Sequence, residues 1–225
     1  STAWPQITSS VKENGLGFDY KWNMGWMNDF TGYMQCDPYF RNQHYGELTF
    51  SMLYAYSEDF VLVFSHDEVV HGKSSMLCKM PGETYEEKAA NLRTAYGFMY
   101  GHPGKKLLFM GAELGQWHEW DDKGQLDWYL LDNEENQKIH QFFKDANAFY
   151  KRENALWEID FSWEGFEWLV PDDNHNNVVV FLRRDKKGRD LMCAVNFSPN
   201  TYTNYRMGVP PYRRYVPVFN TDDPA

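Results

Sequence analysis

Short apolar runs alternate with helical patterns over residues 15–155 of the chain. The run at 60–64 is continuously apolar, which is typical of a strand covered on both faces of a parallel sheet. A second apolar run covers 105–111, and 15–23 predicts a short strand that ends in polar residues. Strands and helices that alternate in this way predict a βαβα arrangement around a parallel sheet.

Helices are predicted between and after these strands. Apolar residues recur at helical spacing over 26–34, and 48–56 predicts another short helix. Thr84, with a glutamate three residues later, forms a capping-box pattern, so a long helix should begin there. Asp132 is followed by a glutamate at the same spacing and is predicted to cap the next helix.

The pattern changes after Trp157, where the remaining apolar segments become strand-like. Turn-forming residues separate these segments, at hairpin spacing near 171–177 and 185–190. We therefore predict an antiparallel β domain over 157–225, after an α/β part over 1–156. Its predicted strands are 166–170, 178–183, 191–197 and 215–219.

The chain is acidic and rich in aromatic residues. Its net charge of −10 disfavours nucleic acid and anionic membrane surfaces as partners. Aromatic residues make up 18% of the chain, with 9 Trp among them. Most should belong to the core, but exposed aromatic faces could also stack on sugar rings. An uncharged ligand suits a chain without a basic patch.

The three cysteines indicate a reducing compartment. Cys36, Cys78 and Cys193 form neither a CxxC pair nor a metal-ligand spacing. An odd number of scattered cysteines favours free thiols, so we expect a cytoplasmic protein without a bound metal or other cofactor. No apolar run is long enough to span a bilayer, and no signal peptide is visible at the start.

Polar and titratable residues are concentrated directly after the run at 60–64. His66 and His71 suggest a metal site at first sight, but they are five residues apart. On a helix this separation places them about 140° apart, and on a strand it places them on opposite faces. The spacing therefore argues against a metal site of the HExxH type, which needs its histidines on one helical face.

Asp67 is the better candidate for chemistry. Carboxyl ends of parallel strands are where α/β folds place their sites, and glycoside chemistry uses carboxylates that flank the sugar. His66 could donate a hydrogen bond beside it. Asp67 could instead cap the next helix or pair with Lys73. Glu113 ends the following strand and is a second carboxylate at the same edge, expected to support the site rather than catalyse.

The segment Ser65–Lys73 resembles the last conserved region of the α-amylase superfamily, in the form found in glycogen branching enzymes. Similar motifs occur along nearly the whole chain. The further matching segments are 15–18, 20–27, 80–82, 90–93, 102–111, 126–128, 166–169 and 219–222.

The resemblance implies the C-terminal part of a (β/α)8 TIM barrel, followed by an all-β, sandwich-like antiparallel domain. It also implies an α-glucan partner (glycogen, amylose or maltooligosaccharides) and transfer of a cleaved α-1,4 chain to a 6-hydroxyl by a retaining mechanism. Asp67 matches the carboxylate that stabilises the transition state, and His66 matches a substrate-binding histidine. We expect Trp22 and Glu113 to bind substrate as well.

The resemblance also implies that the catalytic set is incomplete in this chain. The family's nucleophile lies on an earlier strand, and its acid/base Glu usually precedes a Ser-Thr pair like Ser1-Thr2. Three strand–helix units are fewer than the eight of a closed barrel, so both ends look cut, and 1–225 alone should be inactive.

Two other functions remain open. The chain could be a non-catalytic glucan-binding piece that uses Trp22, Trp26, Trp120 and Trp128, or it could belong to a related hydrolase.

Overall fold

A three-stranded parallel sheet lies in the first part of the molecule. The computed structural model describes residues 4–212 and 214–222. Strands β1 (Lys21–Trp22), β2 (Phe60–Phe64) and β3 (Lys105–Leu108) are paired in that order, all parallel. The predicted βαβα arrangement is present. The central position of β2 explains its continuous apolar run, because side chains on both of its faces are buried.

Helices connect and cover these strands. Their bounds are α1 Met24–Gln35, α2 Gly46–Thr49, α3 Met76–Lys79, α4 Tyr85–Gly101 and α5 Glu134–Arg152. Short 3-10 turns lie at Val11–Glu13, Arg41–His44, Phe50–Leu53, His66–Glu68, Ala112–Leu114, Trp128–Asp132, Asn154–Leu156 and Trp163–Gly165. None of the helices in the described ranges is both long and apolar enough to cross a membrane.

Several predicted boundaries are correct and others need correction. The capping box at Thr84 starts α4, as predicted. The predicted strand at 15–23 is reduced to β1, and the predicted helix at 48–56 is broken into the end of α2 and a 3-10 turn. The cap of α5 is Asn133 rather than Asp132, because Asp132 is the last residue of the preceding 3-10 turn.

An antiparallel sheet forms the second part of the molecule. Strands β4 (Phe166–Asp173), β5 (Val178–Arg184) and β6 (Asp190–Asn196) are paired in that order. These three strands were predicted, with bounds within a few residues. The predicted strand at 215–219 is wrong, since this segment is irregular. Pro217 lies in its middle and has no N–H to donate to a neighbouring strand.

One hydrophobic core extends across both sheets. Phe98 of α4 contacts Phe181 of β5 and Phe197 just after β6, with ring centroids 6.1 and 5.5 Å apart. The other side of α4 faces the parallel sheet, where Tyr96 packs edge-on against Phe64 of β2. Helix α4 therefore packs against both sheets and joins the two parts.

Candidate active site

The carboxyl ends of the three parallel strands lie side by side. The main-chain amide of Asn23 donates to Val61 at 2.9 Å, and that of Phe109 donates to Phe64 at 3.1 Å. These bonds continue the pairing one residue beyond β1 and β3. The residues that follow the three strands therefore share one edge of the sheet, as the sequence predicts.

A capping box turns the chain sharply at the end of β2. The Ser65 hydroxyl accepts a hydrogen bond from the Asp67 amide at 3.2 Å, and the Glu68 carboxylate accepts a short hydrogen bond from the Ser65 amide. Ser65 and Glu68 are both buried. Glu68 is thus occupied in holding the turn, while the neighbouring Asp67 is directed outward.

Asp67 and His66 form a pair that faces solvent. His66 Nε2 lies 3.3 Å from Asp67 Oδ1, and the two side chains are 49% and 51% exposed. Asp67 does not cap the turn, since Ser65 does so. Lys73 Nζ donates to the main-chain oxygen of Asp67 at 2.7 Å rather than to its carboxylate. Both structural alternatives for Asp67 are therefore wrong, and its carboxylate is accessible to a ligand.

Aromatic rings lie beside this pair. The ring of His66 is 5.9 Å from that of Phe109, which in turn packs edge-on against Trp120 at 5.1 Å. Trp22 and Trp128 expose part of their surface. Trp26 is only 1% exposed and packs on Phe30 and Phe64 in the core, so its proposed glucan-binding role is wrong.

Glu113 closes the turn after β3. Its carboxylate accepts a hydrogen bond from the Gly111 amide at 2.9 Å, and Gly111 has a φ of +95° that favours glycine. No hydrogen bond or ion pair between Glu113 and Asp67 is present among the described residues. The two carboxylates lie at the same edge of the sheet, but Glu113 is partly used to hold its own turn.

Sequence reasoning missed two residues at this edge. The Ser65-x-x-Glu68 spacing is itself a capping-box pattern, so local inspection could have found the role of Ser65. Glu119 was also missed. It binds the amides of Gly72 and Ser74 across 47 and 45 residues of chain, and no local pattern signals such a contact.

His66 and His71 lie in different parts of the segment that follows β2. His71 lies in a loop with a left-handed backbone (φ +58°), while His66 is in the turn after β2. Over the described part of the chain, no group of three or more His, Cys, Asp or Glu side chains is placed to hold a metal ion.

Comparison with known proteins first defines the class. The family model described as "Alpha amylase, C-terminal all-beta domain" matches residues 168–225. The crystal structure of an alpha-amylase from H. orenii aligns with 87% of this chain and 42% of its own, with a TM-score of 0.52. At 15% identity this likeness concerns the fold alone. Residues 168–225 thus match the C-terminal all-beta domain of alpha amylases, and the fold is similar to that of an alpha-amylase.

Sequence relatives match the chain at higher identity. The chain is 52% identical over 223 residues, 99% of its length, to the 1,4-alpha-glucan branching enzyme GlgB of Halothermothrix orenii. The GlgB of Bacillus anthracis matches with the same identity and coverage. Nearly the whole chain is therefore similar to a part of these 1,4-alpha-glucan branching enzymes. It spans 35% and 34% of the length of these two relatives, or about a third.

Proposed function

We propose that this chain forms part of an enzyme that cleaves α-1,4-glucan chains and transfers them to a 6-hydroxyl, which creates α-1,6 branches. The observation that carries the proposal is the accessible Asp67–His66 pair at the carboxyl end of a central parallel strand. The names of the relatives support the same reaction. The partner is an α-glucan such as glycogen, amylose or a maltooligosaccharide, and the setting is the cytoplasm.

The two parts of the fold correspond to two domains of such an enzyme. Residues 1–156 correspond to the C-terminal portion of a catalytic (β/α)8 barrel, and 157–225 to the start of an all-β domain. Three parallel strands with intervening helices, whose carboxyl ends share one edge, support the barrel assignment. The continuous core under both sheets means that the second part supports the first.

The reaction proceeds through two displacements with net retention. A carboxylate nucleophile bonds to C1 of the donor sugar while the glycosidic C–O bond breaks, and an acid/base glutamate protonates the leaving oxygen. A 6-hydroxyl of an acceptor glucan then attacks C1, releases the carboxylate and returns its proton to that glutamate. Neither of these two groups maps to a residue of this chain, and Ser1-Thr2, the marker of the second, lies outside the described residues.

Asp67 stabilises the oxocarbenium-like transition state. Its carboxylate has no lysine or arginine partner within the described residues, so its negative charge remains available to the sugar ring. It also accepts hydrogen bonds from sugar hydroxyls, which are strong because the acceptor is charged. His66 donates a hydrogen bond to the same sugar. Trp22, at the end of β1, offers an exposed aromatic surface, and Glu113 binds substrate with the carboxylate oxygen that is not bonded to Gly111.

A chimera tests the function directly. Residues 1–225 would replace the matching third of the Halothermothrix orenii enzyme, and amylose would be followed by iodine absorbance and by reducing-sugar release. We expect the absorbance to fall without new reducing ends. Asp67→Asn should reduce this activity by about 10²- to 10³-fold, in the range of a lost transition-state charge contact. Asp122→Asn, an exposed carboxylate outside the site, should leave it unchanged.

The chain alone should not branch amylose, and turnover above background by purified 1–225 would contradict the division of catalytic groups. Release of reducing sugar by the chimera would instead indicate a hydrolase. A chimera that branches normally with Asp67→Asn would rule out the role of Asp67.

Glucan binding without catalysis is a second candidate, favoured by the exposed rings of Trp22 and Trp128. Titration of 1–225 with maltoheptaose, followed by tryptophan fluorescence, tests it. A saturable change that Trp128→Ala removes would support binding by the isolated chain, and a flat titration would exclude it.

A further inference from the structure

The loop after Asp67 has an unusual backbone. His71, Gly72 and Ser74 have φ values of +58°, +81° and +66°. Residues other than glycine rarely adopt this left-handed backbone conformation, and it persists only where surrounding contacts hold it. The loop His71–Ser74 is exposed, so a hydrophobic core does not hold it.

Glu119 holds this loop by its main chain. Its Oε2 accepts a hydrogen bond from the Gly72 amide at 2.9 Å, and its Oε1 accepts one from the Ser74 amide at 2.7 Å. Both carboxylate oxygens are therefore used, one on each side of Lys73. These two hydrogen bonds lower the pKa of Glu119, so it stays ionised and remains a strong acceptor.

Further contacts fix the loop His71–Ser74 to the segments around it. The Trp120 amide donates to the Val69 oxygen at 2.9 Å, next to the Glu119 contacts. Lys79, the last residue of α3, donates from Nζ to the Ser74 oxygen at 3.3 Å and makes a short contact with the Lys73 oxygen. The main chain of Lys73 is thus held on both sides, by a carboxylate and by an ammonium group.

The held loop contacts the site through Lys73. The Lys73 ammonium donates to the main-chain oxygen of Asp67 at 2.7 Å. A continuous set of contacts therefore runs from Glu119, through the amides beside Lys73, to the backbone that carries the Asp67 carboxylate. The Asp67 amide also donates to the Ser65 hydroxyl at 3.2 Å, so the Lys73 ammonium adds a second restraint on the main chain of Asp67.

We propose that Glu119 is a positioning residue that orients Asp67 through the loop His71–Ser74. This inference rests on the proposed function of Asp67. Glu119 does not touch the sugar. It keeps the Lys73 ammonium on the Asp67 carbonyl and so keeps the carboxylate at the position where transition-state charge develops. Catalytic geometry is sensitive to displacements of about 1 Å, which can reduce the rate roughly 100-fold.

Hydrogen exchange tests the contact without any activity. In purified 1–225, Glu119→Gln should raise amide exchange in a peptide covering 71–75 by about tenfold or more, since one of two charged acceptors becomes a donor. Asp122→Asn removes a carboxylate three residues after Glu119 but leaves Glu119 intact, so amide exchange in the 71–75 peptide should not change. Equal exchange in Glu119→Gln and the unmodified chain would overturn the proposal.

Kinetics of the chimera test the consequence. Glu119→Gln should lower kcat by 10- to 100-fold with KM within about twofold, because it displaces a group that acts in the transition state. In an Asp67→Asn background the same change should have little further effect, since Glu119 acts through Asp67. Circular dichroism of each variant checks that it folds.

The outcomes separate this inference from the proposed function. A chimera inactivated by Asp67→Asn but unaffected by Glu119→Gln would overturn the positioning role alone. An equal further loss from Glu119→Gln in the Asp67→Asn background would overturn it as well, because it would indicate a general structural effect. Full activity of Asp67→Asn would instead remove the proposed function on which the inference rests.

Discussion

Carboxylates have different roles in this molecule because different hydrogen-bond donors surround them. Asp67 is half exposed beside His66. Glu68, the next residue, is buried, and its carboxylate accepts a hydrogen bond from the Ser65 amide. Glu58 is the clearest structural case. Its carboxylate accepts hydrogen bonds from the Ile7 and Thr8 amides and the Thr8 hydroxyl. It ties the segment before β1 to the start of β2.

Glu58 should make stability depend on pH. Burial alone would raise the pKa of Glu58, but the hydrogen bonds from Thr8 and Ile7 and the Lys21 ammonium outweigh it and lower the pKa from 4.5 to about 2. A lowered pKa stabilises the folded state above the unfolded value and loses that effect as the pH falls. The free energy of unfolding should therefore decline between about pH 5 and pH 2, with up to roughly 3 kcal/mol from this group.

Urea unfolding at a series of pH values measures this effect. Glu58→Gln should lower stability at pH 7 and flatten the decline at acid pH. Glu86→Gln, an exposed glutamate on α4, is the control and should leave the curve unchanged. The same acid decline in Glu58→Gln as in the unmodified chain would show that other groups cause it.

Helix and strand boundaries were predictable where the signal is local. The run of β2 and the capping box of α4 lie where the sequence predicts them, because a strand buried on both faces and a cap each depend on a few adjacent residues. The cap of α5 was misplaced by one residue. Asn133 has an extended backbone and accepts a hydrogen bond from the Glu135 amide at 3.0 Å, whereas Asp132 is taken into the preceding turn.

The corrected cap is testable with adjacent variants. Asn133→Ala should destabilise the protein by about 1 kcal/mol, because the α5 amide loses its acceptor. Asp132→Ala should change stability by less than about 0.5 kcal/mol, as expected for an exposed residue without such a role. Urea midpoints of the two variants decide the matter, and a larger loss from Asp132→Ala would restore the cap predicted from sequence.

At the scale of the whole molecule, a buried ionic cluster joins the two sheets. Arg183 of β5 is completely buried and lies 2.7 Å from an oxygen of Asp160. It also donates to the Gly101 oxygen at the end of α4, at 2.8 Å. Lys105 of β3 binds the other oxygen of Asp160 at 2.9 Å. The Asp160 carboxylate thus joins β5 to β3, and Arg183 joins the same cluster to the end of α4.

Removing Arg183 should be strongly destabilising. Arg183→Met leaves the Asp160 charge and the Gly101 oxygen buried without this partner, and breaking a buried pair in this way typically costs about 3–5 kcal/mol. The neighbouring Arg184 is 36% exposed and pairs with Asp190, which also accepts a hydrogen bond from the Tyr212 hydroxyl, so Arg184→Met should cost less than Arg183→Met. Urea unfolding should show one transition by tryptophan fluorescence and by far-UV circular dichroism, and equal losses in the two variants would contradict this coupling.

Local features follow from the amino-acid pattern alone: the apolar run of β2, the cap of α4, the three antiparallel strands and the polar cluster that contains Asp67. Each of these depends on residues close together in the chain. The accessibility of the polar groups depends instead on how the chain folds. The tertiary structure placed Trp26 in the core and joined Glu119 to a loop 45 residues away. Burial and hydrogen-bond partners arise from contacts between distant segments, and local spacing does not encode them.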